Sequence, residues 1–150
     1  MTGYLIFLNK TPVHWVSRRQ STVETATYGS EFVSGKATVE EIIEFRYILR
    51  MLGAPINGPS YLFGDNKSVV DSASIPDFNI KKRHLALCFH KMREAVAAGI
   101  INYIHIDGDE NPADPLTKSL PHPTLWRLMK PILHWIDTSS EEEDNEESGN

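Results

Sequence analysis

Tyr61-Leu62-Phe63-Gly64-Asp65-Asn66-Lys67-Ser68-Val69-Val70 is the stretch that decides how this chain folds. Three apolar, strand-favouring residues run into Gly-Asp-Asn, a turn-forming group, and Ser68-Val69-Val70 then has the composition of a short helix. A strand that gives way directly to a helix is the unit of an α/β sheet, and ligands of open α/β sheets bind at that strand end. Asp65 therefore stands where a functional carboxylate is expected. The same residue is also an ordinary helix cap, so its position alone leaves both readings open.

Moving towards the N-terminus, Ile42, Phe45, Leu49 and Leu52 recur at helical spacing, no proline interrupts residues 23–52, and Gly53 and Pro55 end the run. Before it, Gly3-Tyr4-Leu5-Ile6-Phe7-Leu8 and Val13-His14-Trp15-Val16-Ser17 flank the turn signal Asn9-Lys10-Thr11-Pro12, which predicts a hairpin. Moving towards the C-terminus, residues 80–98 show helical spacing through Leu87, Met92 and Val96, and Gly99 closes them. A strand is expected over residues 100–106, then a turn at Asp107-Gly108-Asp109. A helix opened by Asn111 as cap and Pro112 as first residue follows, and then a short helix carrying Leu125, Leu128 and Met129. The predicted order, β β α β α α β α α without a repeat, describes an α/β fold in which covering helices pack on a mixed sheet.

At 150 residues and 41% hydrophobic content the chain suits one domain plus a tail, expected as residues 1–136 and 137–150. The net charge of −5 is set by the tail, whose seven acids and absent bases leave 13 acids against 15 bases elsewhere. With no apolar residue after Ile136, that tail is expected to be disordered. No run approaches the roughly 18 apolar residues of a membrane span, and no secretion signal is present, so an intracellular protein, cytoplasmic or nuclear and not secreted, is expected. Cys88 is the single cysteine; with His84 and His90 it lacks a fourth ligand nearby and makes a poor zinc site. Trp15, Trp126 and Trp135 read as packing residues.

Acids placed where stability alone does not ask for them are the candidates for chemistry. Glu31 lies eleven residues before Ile42, and at about 100° per residue that separation is within about 20° of three full turns. It therefore shares the face that Ile42 buries, where a carboxylate is costly unless paired, hydrogen-bonded or metal-bound. Equally, it is an acid near a helix N-terminus, favoured by the dipole. Asp114 would be the third residue of the helix expected from Pro112, where an acid complements the dipole without any function. Two basic clusters, Arg18-Arg19 and Lys81-Lys82-Arg83-His84, suit phosphate contact or a solvated turn, and the second lies where positive charge opposes a helix dipole.

Taken in order, these segments resemble the ribonuclease H domain of copia-type retrotransposon polyproteins. The hairpin with Trp15-Val16-Ser17-Arg18-Arg19-Gln20-Ser21-Thr22, the pair Glu31-Phe32, Asp65-Asn66-Lys67-Ser68, the basic Lys82-Arg83-His84 with His90 and Arg93-Glu94, and Ala113-Asp114-Pro115-Leu116-Thr117-Lys118 are each similar to a motif of that family. The resemblance spans residues 2 to about 120. It implies a ribonuclease-H-like fold and hydrolysis of the RNA strand of an RNA·DNA hybrid. Glu31, Asp65 and Asp114 would be three of four metal-binding acids, Mg2+ the expected ion with Mn2+ as the alternative, and no small-molecule cofactor is implied. The partners it implies are the hybrid and the upstream reverse transcriptase segment of the same polyprotein, with no membrane. The alternative is a non-catalytic relic that binds nucleic acid or a protein.

The family's first strand, which carries its first catalytic Asp, has no counterpart in this sequence, and the resemblance places that strand centrally, between the hairpin and the strand ending at Asp65. Some five ladder hydrogen bonds per side, at roughly 0.5–1.5 kcal/mol each, amount to a sum comparable with the about 5–15 kcal/mol stability of a whole domain. The isolated chain is therefore expected to be marginal and inactive or very weak. A thermal melt checks this: a cooperative, monomeric transition above about 45 °C is the outcome that contradicts it.

Overall fold

The computed structural model describes residues 1–19, 27–75 and 85–133, with backbone alone at Thr27 and Tyr28. The expected basic cluster Lys81-Lys82-Arg83-His84, Trp135 and the acidic tail lie outside the described residues. Two compact units are distinguished, Met1–Ser119 and a second beginning at Leu120.

In the first unit, β1 (Thr2–Leu8) and β2 (Thr11–Arg18) form the expected antiparallel hairpin. Asn9 turns the chain with a φ of 57°, a left-handed conformation that asparagine tolerates. The register slips between Ile6 and Phe7, so that Ile6 faces His14 but Phe7 faces Pro12. Such a bulge is where a strand can accept a residue without an N–H. α1 (Thr27–Met51) follows, then β3 (Ser60–Gly64), α2 (Lys67–Ser74), α3 (Ala86–Ala97) and β4 (Ile101–His105). β3 and β4 pair in parallel, and the helical connection between them is the crossover that parallel strands require. At the start of α2 the Asn66 side chain caps the helix, accepting from the Ser68 amide at 3.0 Å.

The core lies where α1, α2 and α3 meet β3 and β4: Phe32, Val39, Val69, Leu85, Met92 and Ile101 are almost fully buried. α1 has two working faces. Phe32 and Val39 turn towards this core, Phe32 with its ring 6.2 Å from that of Phe89, whereas Phe45 and Leu49 line a cleft on the sheet side and Ile42 belongs to the core while bordering that cleft. The sequence reading recognised only the second face. It also placed Leu87 inward, but Leu87 is exposed and the inward stripe of α3 is Phe89, Met92 and Ala95, continuing from Leu85. Trp15, read as a packing residue, is 64% exposed.

The α/β class is as expected, but the strands form two separate two-stranded sheets. β2 occupies one edge of β1 and β4 one edge of β3, and among the described residues no strand joins the remaining edges. A cleft of about 940 Å³ lies there, lined by β1, β3 and α1. The helix expected from Pro112 is a correction: Asp114–Leu116 is a single 3-10 turn. Asn111 does cap the segment, accepting from the Ala113 amide at 3.0 Å, but Pro115 has no N–H with which to extend an α-helical ladder. In the second unit α4 (His122–Leu133) forms where a short helix was expected, with His122 stacked 6.3 Å from Trp126.

One close approach fixes the end of β3 and another the contact of α1 with α3. A Cβ on Gly64 would meet the Tyr103 hydroxyl at 2.6 Å, and one on Gly35 in α1 would lie 2.8 Å from the Met92 methyl. Gly64→Ala is expected to cost about 1–3 kcal/mol through overpacking. Tyr103→Phe, which removes the nearest atom, should recover part of that loss, and a double-mutant cycle from urea unfolding measures the coupling.

Candidate active site

The three acids singled out in the sequence come from three elements. Glu31 is in the second turn of α1, Asp65 directly follows β3, and Asp114 opens the 3-10 turn. All three line the same cleft at one end, together with Lys118.

Local geometry explains each placement. Asp65 is aimed by the strand-to-helix junction: its backbone carbonyl meets the His105 ring at 3.1 Å, and the Ile106 amide donates to Gly64 at 3.0 Å, continuing the parallel ladder. Asp114 is held from the hairpin side. The Ser17 hydroxyl donates to the Leu116 carbonyl at 2.6 Å, and β1 passes so close that a Cβ on Gly3 would meet Thr117 Cγ2 at 2.5 Å. Thus a glycine in β1 and a serine in β2 fix a turn about a hundred residues later in the chain. Arg18 and Arg19 follow Ser17 immediately and are exposed at this same end.

Electrostatics ties the acids together. Burial, then repulsion from Asp65 and more weakly from Asp114, pushes the Glu31 carboxyl up to about 7, while a hydrogen bond with the Asn66 side chain and attraction to Lys118 oppose the rise. Asn66 thus serves two neighbours, capping α2 and holding Glu31. Lys118 donates to both Asp114 carboxylate oxygens, at 3.1 and 3.0 Å, and its ammonium is 3.9 Å from Asp65. Those contacts, the Asp114 hydrogen bond foremost, raise its affinity for its proton. Tyr103, absent from the sequence reading, is a buried phenol whose ionisation is suppressed by burial and by the charges of Glu31 and Asp65. No signal in the sequence marks it, because an inward tyrosine on a strand is ordinary packing. At the far side of β1, burial and the Glu41 carboxylate raise the Tyr4 phenol to about 12.

Three carboxylates are hard oxygen donors suited to Mg2+ or Mn2+. They share a cleft without being drawn into one coordination shell: among the described residues no group of three His, Cys, Asp or Glu side chains is close enough to hold an ion as it stands. The donor chemistry fits a divalent cation, and a cation would relieve the repulsion at Glu31 that Asn66 and Lys118 offset only in part. Among the described residues, no helix is long and apolar enough to cross a membrane.

Comparison with curated proteins places the chain beside plant transposon polyproteins. It is 29% identical over 118 residues to the Retrovirus-related Pol polyprotein from transposon RE2 of Arabidopsis thaliana, covering 79% of this chain and 8% of that protein. The corresponding polyprotein from transposon RE1 of the same plant is 28% identical over 118 residues, again 79% of this chain and 8% of that protein. That from transposon TNT 1-94 of Nicotiana tabacum is 29% identical over 133 residues, 88% of this chain and 10% of that protein. The chain therefore spans about a tenth or less of the length of these relatives, as a fragment of such a polyprotein would. No family model matches it. No solved structure does either.

The raised Glu31 carboxyl has a thermodynamic consequence. Between its ordinary 4.5 and about 7 the folded state binds more protons than the unfolded state, so stability falls as pH rises through that window and stays lower above it. Because Glu31 is only partly buried, solvent screening limits the effect to about 1 kcal/mol. Glu31→Gln should therefore stabilise the metal-free chain by about 1 kcal/mol near pH 8 and change little near pH 4, as read from urea unfolding at the two pH values.

Proposed function

We propose that this chain is part of the ribonuclease H segment of a retroelement Pol polyprotein, built to hydrolyse the RNA strand of RNA·DNA hybrids with divalent metal. The observation that carries the reading is the convergence of Glu31, Asp65 and Asp114, from remote parts of the sequence, on one end of one cleft. Similarity to Pol polyproteins supports the same assignment.

In this reading Glu31 and Asp65 hold the ions and Asp114 completes the set. Two bound divalent ions would supply an activated water on one side of the scissile phosphate and charge stabilisation for the leaving 3′ oxygen on the other. The chain's own contribution is to hold the carboxylates apart and partly dehydrated, so that ion binding relieves repulsion already present. Asn66 fixes the Glu31 carboxylate and so sets the direction in which it presents its oxygens. Arg18 and Arg19, exposed beside the turn that carries Asp114, supply positive charge for the hybrid's phosphates without reading its sequence. With three carboxylates the chain alone is inactive or very weak, and activity belongs to the longer polypeptide.

A second reading has its own observation. The cleft between β1 and β3 exposes two strand edges, and unpaired edges are ready sites for another chain. A chain that survives as a binding protein would use them, or the arginine surface, without cleaving anything.

Cleavage of a labelled RNA·DNA hybrid in Mg2+ or Mn2+ separates the two. The 150-residue chain is expected to cleave negligibly. A version extended upstream by an acid-bearing strand should cleave, and Asp65→Asn in that version should reduce the rate at least about 100-fold, the scale of losing a main charge-stabilising group. Hybrid bound by both versions and cleaved by neither would support the second reading; cleavage by the short chain, lost on Asp65→Asn, would overturn the proposed inactivity.

A further inference from the structure

Lys118 is the last residue of the segment that resembles the family's closing motif. Its side chain is 57% exposed, yet it turns back into the cleft. The turn that carries it explains how. The Lys118 amide donates to the Asp114 carbonyl at 2.9 Å, the Thr117 hydroxyl donates to the same carbonyl at 3.1 Å, and Gly3 lets β1 press against Thr117 from the other side. The ammonium is thereby aimed between two carboxylates, in contact with both oxygens of Asp114 and 3.9 Å from Asp65 Oδ2.

The position matters because of what competes for it. An Asp114 oxygen that accepts a hydrogen bond from the ammonium at 3.0 Å has one lone pair taken, and a small divalent ion at its usual roughly 2.0–2.1 Å on the same carboxylate would lie close to that positive charge and be repelled by it. Both cations seek the same lone pairs of Asp114 and the same field from Asp65 and Glu31. Lysine is a compact point charge on a flexible stem, so it can fill the position and also leave it by rotation into solvent. Being tethered, it competes at a fixed effective concentration whatever the ionic medium.

We propose that Lys118 is a built-in counter-ion of the carboxylate cluster, and that a divalent cation enters the site only by displacing its ammonium. This rests on the metal-binding reading given above and specifies its regulation: the lysine holds the metal-free carboxylates together and sets the ion concentration at which the site fills. It is a positioning residue for the carboxylates, distinct from the groups that would contact the ion.

Mn2+ binding to the full chain, followed by the electron paramagnetic resonance of free Mn2+ at fixed ionic strength, tests this without reference to activity. Lys118→Gln should bind Mn2+ about tenfold more tightly, about 1.4 kcal/mol, and Lys118→Arg, which keeps the charge, should stay near wild type. In the wild-type chain, Mg2+ titration should move the ε-methylene resonances of Lys118 in step with the β-methylene resonances of Asp65. Equal or weaker binding by Lys118→Gln, with binding still abolished by Asp65→Asn, overturns the counter-ion role and leaves the metal site standing. Lys118 resonances unmoved at Mg2+ saturation overturn it likewise. Absence of Mn2+ binding in both wild type and Lys118→Gln removes the metal-binding reading and this inference with it.

Discussion

Like charge held in a partly dehydrated cleft is the constraint around which the first unit is arranged. Burial first, and then repulsion from the carboxylates at the end of β3 and in the 3-10 turn, lifts Glu31 of α1 to about 7. Such an arrangement lowers stability, so something else must keep the three elements in place. The structure meets this with neighbouring polar groups: Asn66 donates to Glu31, and Lys118 bridges Asp114 and Asp65. The apolar core of Phe32, Leu85, Met92 and Ile101 lies away from the cleft and fixes the elements from behind.

Close backbone approaches transmit that rigidity to the site. Gly35 and Gly64 admit neighbouring side chains that a Cβ would crowd, and Gly3 admits the turn carrying Asp114. The Ser17 hydrogen bond to Leu116 completes the link from the hairpin. These contacts are inexpensive individually. Their effect is geometric: they place groups from residues 3, 17, 64 and 114 within one small region. Function at this site would depend on residues that never touch an ion or a substrate.

This division explains what could be read from the sequence. The strand-to-helix junction at Asp65 was legible because it depends on neighbours in sequence, an apolar run followed by Gly-Asp-Asn. The hairpin was legible for the same reason. Glu31 could be assigned to the sheet side of α1 from helical periodicity alone, and it does line the cleft there. The second face of α1 was not legible, because a helix packed on two sides has no single apolar stripe. Leu87 failed for a related reason: in a short helix rich in apolar residues, two registers fit the spacing and only the packing of Phe89 against Phe32 selects one. Tyr103 owes its role to tertiary neighbours and had no local signature, whereas Lys118 stood in a quoted motif, four residues after Asp114, and only its approach to Asp65 is tertiary. The 3-10 turn at Asp114 shows local chemistry pulling two ways, with Asn111-Pro112 opening a helix that Pro115 does not extend.

The division of the sheet bears on the chemistry as well as the fold. Among the described residues, β1 and β3 each line the cleft that ends at the carboxylates and have a strand partner on one edge alone. Backbone N–H and C=O groups on the other edges must be satisfied by water or by another strand. Water entering by that route also screens the acids and weakens any ion they hold. A strand seated between the edges would remove that water and strengthen every charge interaction at the cleft's end. If the carboxylates hold an ion as proposed, its affinity would be coupled through the local dielectric to whether a strand occupies those edges.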